Sequence, residues 1–431
     1  MACKVVRQTG AVADLTDTEA RVLDAVDDGW LLARLRELVA VPSVGGTAAE
    51  SEAQHLVAGW LREMGADTDV WAIDLTDAAT AADAPGQEAV REEAVGVVGT
   101  LGTGEPWLVL CGHSDVVPAG DPALWPGDPF APRLEGGVLH GRGTCDMKGG
   151  LVAALAAARA VAASGVRLAR PLAVHSVVGE EDGGLGAWAT LRRGHRGAAC
   201  IIPEPTAGAV MTANAGALTF RLTLTGLAAH GAMRDRGVST VEAFADLHAG
   251  IREFEAGRQR DVDRFLGTAL PYGISIGTVQ AGDWSSTVPD RLVAEGRFGV
   301  QVDEPVETAK AAFEAAVAAS CAGHGWLADH PARVEWVGGS FASGRLPQGS
   351  PLLPAVQDAV VDLGRARPVE RYVPAGTDLR LYGAAGVPTL HYGPGDLALA
   401  HAPREQVPVA DVGHVARVLA LTALRQCTVE R

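Results

Sequence analysis

Four short apolar runs punctuate the chain: Trp107–Cys111 (WLVLC), Pro171–Val178 (PLAVHSVV), Ala199–Ile202 (ACII) and Val387–Tyr392 (VPTLHY). Continuous runs of this length suit strands buried on both faces. Helical periodicity runs through Ala20–Val39, Ala49–Met64 and Met147–Ala163. This alternation of strand and helix predicts an α/β unit with a largely parallel sheet. The polar, acidic stretch Asp77–Glu93 (DAATAADAPGQEAVREE) is expected to be a surface excursion.

The pattern changes in the middle of the chain. Ala217–Thr225 largely alternates, which predicts a half-exposed strand. A helix over Val238–Ala256 follows, then strands over Tyr272–Gln280 and Arg291–Val302, a helix over Glu304–Ala322 and a strand over Ala332–Val337. The order β-α-β-β-α-β is the ferredoxin-like split motif. The expected organisation is therefore a catalytic α/β domain in two parts, 1–214 and 341–431, interrupted by an α+β lid and dimerisation domain at 215–340.

Composition narrows the function. The 431 residues are 48% hydrophobic and 20% charged, the balance of a soluble chain with a real core. The net charge of −16 argues against a nucleic-acid surface. No stretch approaches the ~20 apolar residues of a membrane span; the richest, Gly149–Val166, is mostly alanine and carries Arg159. Met1–Thr9 has Lys4 and Arg7 but no apolar run behind them, so no signal peptide is expected. The six scattered cysteines suggest buried thiols rather than a disulfide framework. These features together predict a cytoplasmic protein.

Chemistry-bearing residues follow the buried runs. After the first run come Gly112-His113-Ser114-Asp115; after the second, Gly179-Glu180-Glu181-Asp182-Gly183; after the third, Pro203-Glu204-Pro205-Thr206. His401 follows the fourth, and Gly141–Gly150 (GRGTCDMKGG) holds Asp146 between the first two. Open α/β sheets bind ligands just outside the carboxyl ends of their strands. Two histidines and three carboxylates there would suit Zn²⁺, and also Mn²⁺ or Co²⁺. A shared carboxylate can bridge two metals ~3.5–4 Å apart, an arrangement that activates water and polarises a carbonyl. One member of the Glu180-Glu181 pair can then coordinate while the other serves as general base. Asp115, two residues from His113, can orient its ring.

Together GHSDVVP, GRGTCDMKGG, GEEDGG, PEPT, GTDLR and HAPREQV resemble the dinuclear-zinc family of acetylornithine deacetylase, succinyl-diaminopimelate desuccinylase, aminoacylase and glutamate carboxypeptidase. The likeness, most evident to the acetylornithine deacetylase-like members, extends from about Leu38 to the end and implies a zinc-exopeptidase-like catalytic domain. Residue by residue, it implies that Asp146 bridges two divalent ions, with His113 and Glu204 on one and Glu181 and His401 on the other. Glu180 would be the base, Asp115 the residue that orients His113, and His230 a lid histidine lent to the partner subunit of a homodimer. Arg297 and Thr377 would contact substrate. Where the desuccinylase branch carries paired arginines this chain has Asn214-Ala215-Gly216, which weakens a succinyl-specific reading.

The resemblance thus implies an amidohydrolase that removes an acyl group from a small N-acyl amino acid by attack of a metal-bridging water. A dipeptidase or carboxypeptidase is the alternative, and a non-catalytic metal-binding protein a third reading. His175 and His391, inside apolar runs, are expected to be core histidines. Lys148 is expected to be structural or solvent-facing. Cys145, with no evident base, is not expected to be a nucleophile.

Overall fold

The computed structural model describes residues 15–427. Met1–Thr9 and Cys3 therefore lie outside the described residues. The chain packs as two units. The larger comprises residues up to Thr212, Arg345–Arg371 and Leu381 onward; the smaller comprises Ala213–Gly344 with Tyr372–Arg380.

In the larger unit the four predicted apolar runs become the centre of one sheet. The strand order begins Asp67–Ala72, Val95–Leu101, Leu172–Val177, Leu108–His113, Ala199–Pro205, Thr389–Gly393. The last four are mutually parallel, and Val95–Leu101 runs antiparallel to both of its neighbours, Leu172–Val177 and Asp67–Ala72. Every residue of Leu108–His113 and Leu172–Val177 is buried, as continuous apolar runs require. The helix Lys148–Ala163 is buried on nearly all sides and packs against the sheet and against the helix Val409–Cys427. Its alanines and glycines let it approach both closely.

The smaller unit has a four-stranded antiparallel sheet in the order Ile274–Ala281, Arg291–Val300, Gly216–Thr225, Arg333–Phe341. This is the split β-α-β arrangement. Alternate residues of Gly216–Thr225 are buried, and Phe220, Leu222 and Leu224 share a core with Leu247, Ile251, Phe313 and Val317 from the helices Thr240–Arg258 and Val306–Ala322.

Three expectations need correction. The periodicity of Ala20–Val39 breaks into helices Asp17–Asp24 and Asp28–Ala40, because Asp27 accepts the Trp30 N–H at 2.9 Å and caps the second. The stretch 77–93 is not wholly a surface excursion: it includes a helical turn at Leu75–Thr80, and Arg91 is buried. Tyr372–Arg380, assigned by sequence to the catalytic domain, packs in the smaller unit. There Ala215 N–H donates to the Val373 carbonyl, and Tyr372 meets Phe265 edge to face. Among the described residues no helix is long and apolar enough to cross a membrane.

Candidate metal centre

The carboxyl ends of the parallel strands converge on one cluster in the larger unit. His113 ends its strand, Glu204 lies on Ala199–Pro205, and Asp146 sits just before the helix Lys148–Ala163. Glu181 lies in the turn after Leu172–Val177, and His401 in the loop after Thr389–Gly393. Two groups of ligand atoms form, His113 with Asp146 and Glu204, and Asp146 with Glu181 and His401, each within 4.8 Å. Asp146 is common to both. Its Oδ1 is 3.3 Å from His113 Nε2, and its Oδ2 is 3.5 Å from His401 Nε2. His113 Nε2 is also 3.6 Å from Glu204 Oε1, and His401 Nε2 is 2.9 Å from Glu181 Oε2. One carboxylate thus offers a separate oxygen to each group, which would let two cations share it.

The electrostatics fit cations. Burial, then the Asp146 charge, push the Glu204 carboxyl well above its usual range, and the same two causes raise Glu181. Burial opposes protonation of His113, yet Asp115, Asp146 and Glu204 outweigh it and hold its pKa well above the ordinary value. Hydrogen bonding to Glu181 lifts His401 to about 9 against its burial. Three carboxylates thus crowd together with two histidines, and their negative charge calls for compensation. Divalent cations would supply it, and the mixed nitrogen and oxygen donors suit Zn²⁺, Co²⁺ or Mn²⁺.

The surroundings orient these groups. His113 Nδ1 lies 3.0 Å from the Asp115 carbonyl and 3.5 Å from its Oδ1, which leaves Nε2 to face Asp146 and Glu204. Asp115 Oδ2 accepts the Glu181 N–H at 3.2 Å. Glu180, beside Glu181, is buried but belongs to neither ligand group.

The model of "Peptidase family M20/M25/M40" matches residues 109–425, most of the chain. The chain belongs to this family. It is accordingly a metal-dependent hydrolase of amide bonds, and the non-catalytic reading is set aside. It is 25% identical over 415 residues to an N-formyl-4-amino-5-aminomethyl-2-methylpyrimidine deformylase of Halalkalibacterium halodurans, covering 90% of this chain and 92% of that one. It is 29% identical over 262 residues to an acetylornithine deacetylase of Proteus mirabilis, covering 59% of this chain and 62% of that one. A Saccharomyces cerevisiae di-peptidase shares the fold with a TM-score of 0.74 at 14% identity, over 96% of this chain and 99% of that one.

In this M20 chain the remaining candidates lie in the smaller unit. His230 is exposed in a loop, and its Nδ1 accepts the Ala232 N–H at 3.1 Å. In the neutral ring that bond puts the proton on Nε2. Arg297, half-buried on the strand Arg291–Val300, donates from Nη2 to the Pro374 carbonyl at 2.9 Å. Thr377 is buried three residues further on, and its Oγ1 accepts the Leu379 N–H at 3.3 Å. Arg297 and Thr377 are thus tied to one segment, Tyr372–Arg380.

Two support residues escaped the sequence reading. Glu405 is buried; its Oε1 accepts the N–H groups of Cys145 (3.0 Å) and Asp146 (3.1 Å), and its Oε2 accepts Arg142 Nη1 at 2.6 Å. It fixes the Asp146 loop from a position near the far end of the chain; HAPREQV marks its presence but not its partners. Arg91 is the other. Lys148 is structural and not solvent-facing. It is fully buried, donates to the carbonyls of Leu38 (3.0 Å) and Val41 (2.8 Å), and is lowered by burial to about 7. Burial pushes the Cys145 thiol up, against a nucleophilic role. His175 and His391 are core residues, and burial takes both to about 3.

Proposed function

We propose that the protein is a deacylase that removes a small acyl group from an N-acyl amino acid, using two divalent ions, with Zn²⁺ the first to test. The observation that carries this reading is the pair Glu180-Glu181: Glu181 joins a ligand group, whereas Glu180, buried beside it, does not. A carboxylate that holds no metal is what a general base at such a centre needs to be. Two divalent ions, when bound, lower the pKa of water and polarise a carbonyl.

The protein groups then divide the work. Glu180 takes the proton of the attacking water and returns it to the departing amine. His230 Nε2–H donates to the oxygen on which negative charge develops. Arg297 and Thr377 receive the substrate carboxylate. His230 acts from the partner subunit of a homodimer joined through the smaller unit. Two features support that arrangement. Ile274–Ala281 is an edge strand with mostly exposed residues, and Leu227, Met233 and Trp284 are exposed apolar residues in the loops around His230.

A second reading is removal of a formyl group from an aminomethylpyrimidine, favoured by the relative that matches 90% of the chain. The test is metal-dependent turnover of N-formyl, N-acetyl and N-succinyl amino acids, an N-formylaminomethylpyrimidine and dipeptides. Fastest hydrolysis of an N-formyl or N-acetyl amino acid is expected. Fastest turnover of the pyrimidine or of a dipeptide would move the assignment to that class.

A further inference from the structure

The turn that carries Glu180 and Glu181 is gripped from behind by a residue that no motif marks. The Arg91 side chain is 1% exposed and faces two carboxylates. Its Nε and Nη2 donate to Glu50 Oε2 (2.9 Å) and Oε1 (3.0 Å). Its Nη1 and Nη2 donate to Asp182 Oδ2 (2.9 Å) and Oδ1 (2.8 Å), and Nη1 also reaches the Ala89 carbonyl at 3.4 Å. All the donors of the fork are therefore engaged, a pattern that lysine's single ammonium cannot reproduce. Asp182 Oδ2 also accepts the N–H groups of Glu88 (3.2 Å) and Ala89 (2.8 Å), so the loop before Arg91 closes over the same turn.

The contact leaves no room for slack. A Cβ on Gly179 would stand 3.1 Å from Arg91 Nη2, and one on Gly183 would stand 2.1 Å from the Gly86 carbonyl oxygen. On its other side the turn is held by the Glu181 N–H bond to Asp115. Glu180 and Glu181 thus sit between two anchors: Asp115, beside the ligand histidine, and Asp182, locked to Arg91.

We propose that Arg91 is a positioning residue for the reaction: by clamping Asp182 against Glu50 it fixes the direction of the Glu180 carboxylate. The inference rests on the reading of Glu180 as the base. Buried, forked charge pairs hold geometry tightly, and a misplacement of ~1 Å can cost ~10²-fold in rate. Asp115 holds the Glu181 N–H through its own hydrogen bond, so loosening Arg91 acts on the base more than on the ligand.

The test uses full-length, Zn²⁺-loaded protein and the N-formyl or N-acetyl amino acid it turns over fastest. Arg91→Lys and Asp182→Asn should each lower kcat by ~10–100-fold, leave KM within about twofold and leave metal content at the wild-type value. In a Glu180→Gln background the same changes should cost less than about twofold more, because the group they aim is gone. If Arg91→Lys does not fold, Asp182→Asn decides. Wild-type kcat in a folded, metal-loaded variant overturns the proposal. So does an equal loss in both backgrounds, or a loss of metal parallel to the loss of kcat. Wild-type turnover in Glu180→Gln alone would instead remove the base assignment, whatever the Arg91 variants do.

Discussion

Replacing Gly150 with alanine should separate two of the proposed metal ligands. Gly150 lies in the first turn of the helix Lys148–Ala163, four residues after Asp146, and faces Pro203, which precedes Glu204. An alanine Cβ there would stand 1.9 Å from the Pro203 carbonyl oxygen and 2.9 Å from its carbon. Neither neighbour is a flexible side-chain end, so helix or strand must yield by about 1 Å in a close-packed interior. Helix propensity favours alanine by ~1 kcal/mol, and overpacking costs ~1–3 kcal/mol, so net destabilisation should not exceed ~2 kcal/mol. The effect on the site should be larger. Metal ligands tolerate only ~0.2 Å, and a ~1 Å error costs ~10² in rate. Urea unfolding, elemental analysis and kcat on one preparation measure all three. A nearly unchanged fold with reduced metal and turnover is expected. Unchanged metal content and turnover would refute the claim that this contact sets the spacing of Asp146 and Glu204.

Further predictions concern single groups. Glu180→Gln should keep its metals and lose ~10²–10⁴ in activity, whereas Glu181→Gln should lose metal; isothermal titration beside kinetics separates them, and the reverse pattern would interchange the pair. Mixing inactive His230→Ala with inactive Glu180→Gln subunits under exchange should restore part of the activity; a monomer in solution, or dead mixtures despite exchange, would exclude a shared site. Burial takes His175 to about 3, below its unfolded value near 6.5, so the unfolded state binds the extra proton between these limits and stability falls as pH falls. At pH 5 wild type should have lost ~2 kcal/mol more than His175→Gln relative to pH 7.5; parallel urea midpoints would contradict this.

The centre of the larger unit was legible because strands buried on both faces read as unbroken apolar runs. The edge was not: Asp67–Ala72 (DTDVWA) begins with three polar residues, and Val95–Leu101 is interrupted by glycines, one of them covered by Trp71. His113, Asp146, Glu181, Glu204 and His401, singled out in the sequence, fall into two groups of three that share Asp146, each within 4.8 Å, since the carboxyl ends of parallel strands share one edge; Asp115 and Glu180 belong to neither group. What holds those residues in place was hidden. Arg91 finds partners at sequence separations of 41 and 91, and Glu405 binds Asp146 at a separation of 259. No local pattern encodes such pairings. The attachment of Tyr372–Arg380 to the smaller unit was hidden for the same reason, because it depends on Ala215, Phe265 and Arg297 far upstream.

The central claim is a two-metal site bridged by Asp146. Its most direct test is metal stoichiometry, measured by elemental analysis on protein purified without chelator, for the wild type and Asp146→Ala side by side. The account predicts about two divalent ions per wild-type chain, with loss of metal and of hydrolysis together in the variant. A variant that keeps both ions and full activity would contradict it.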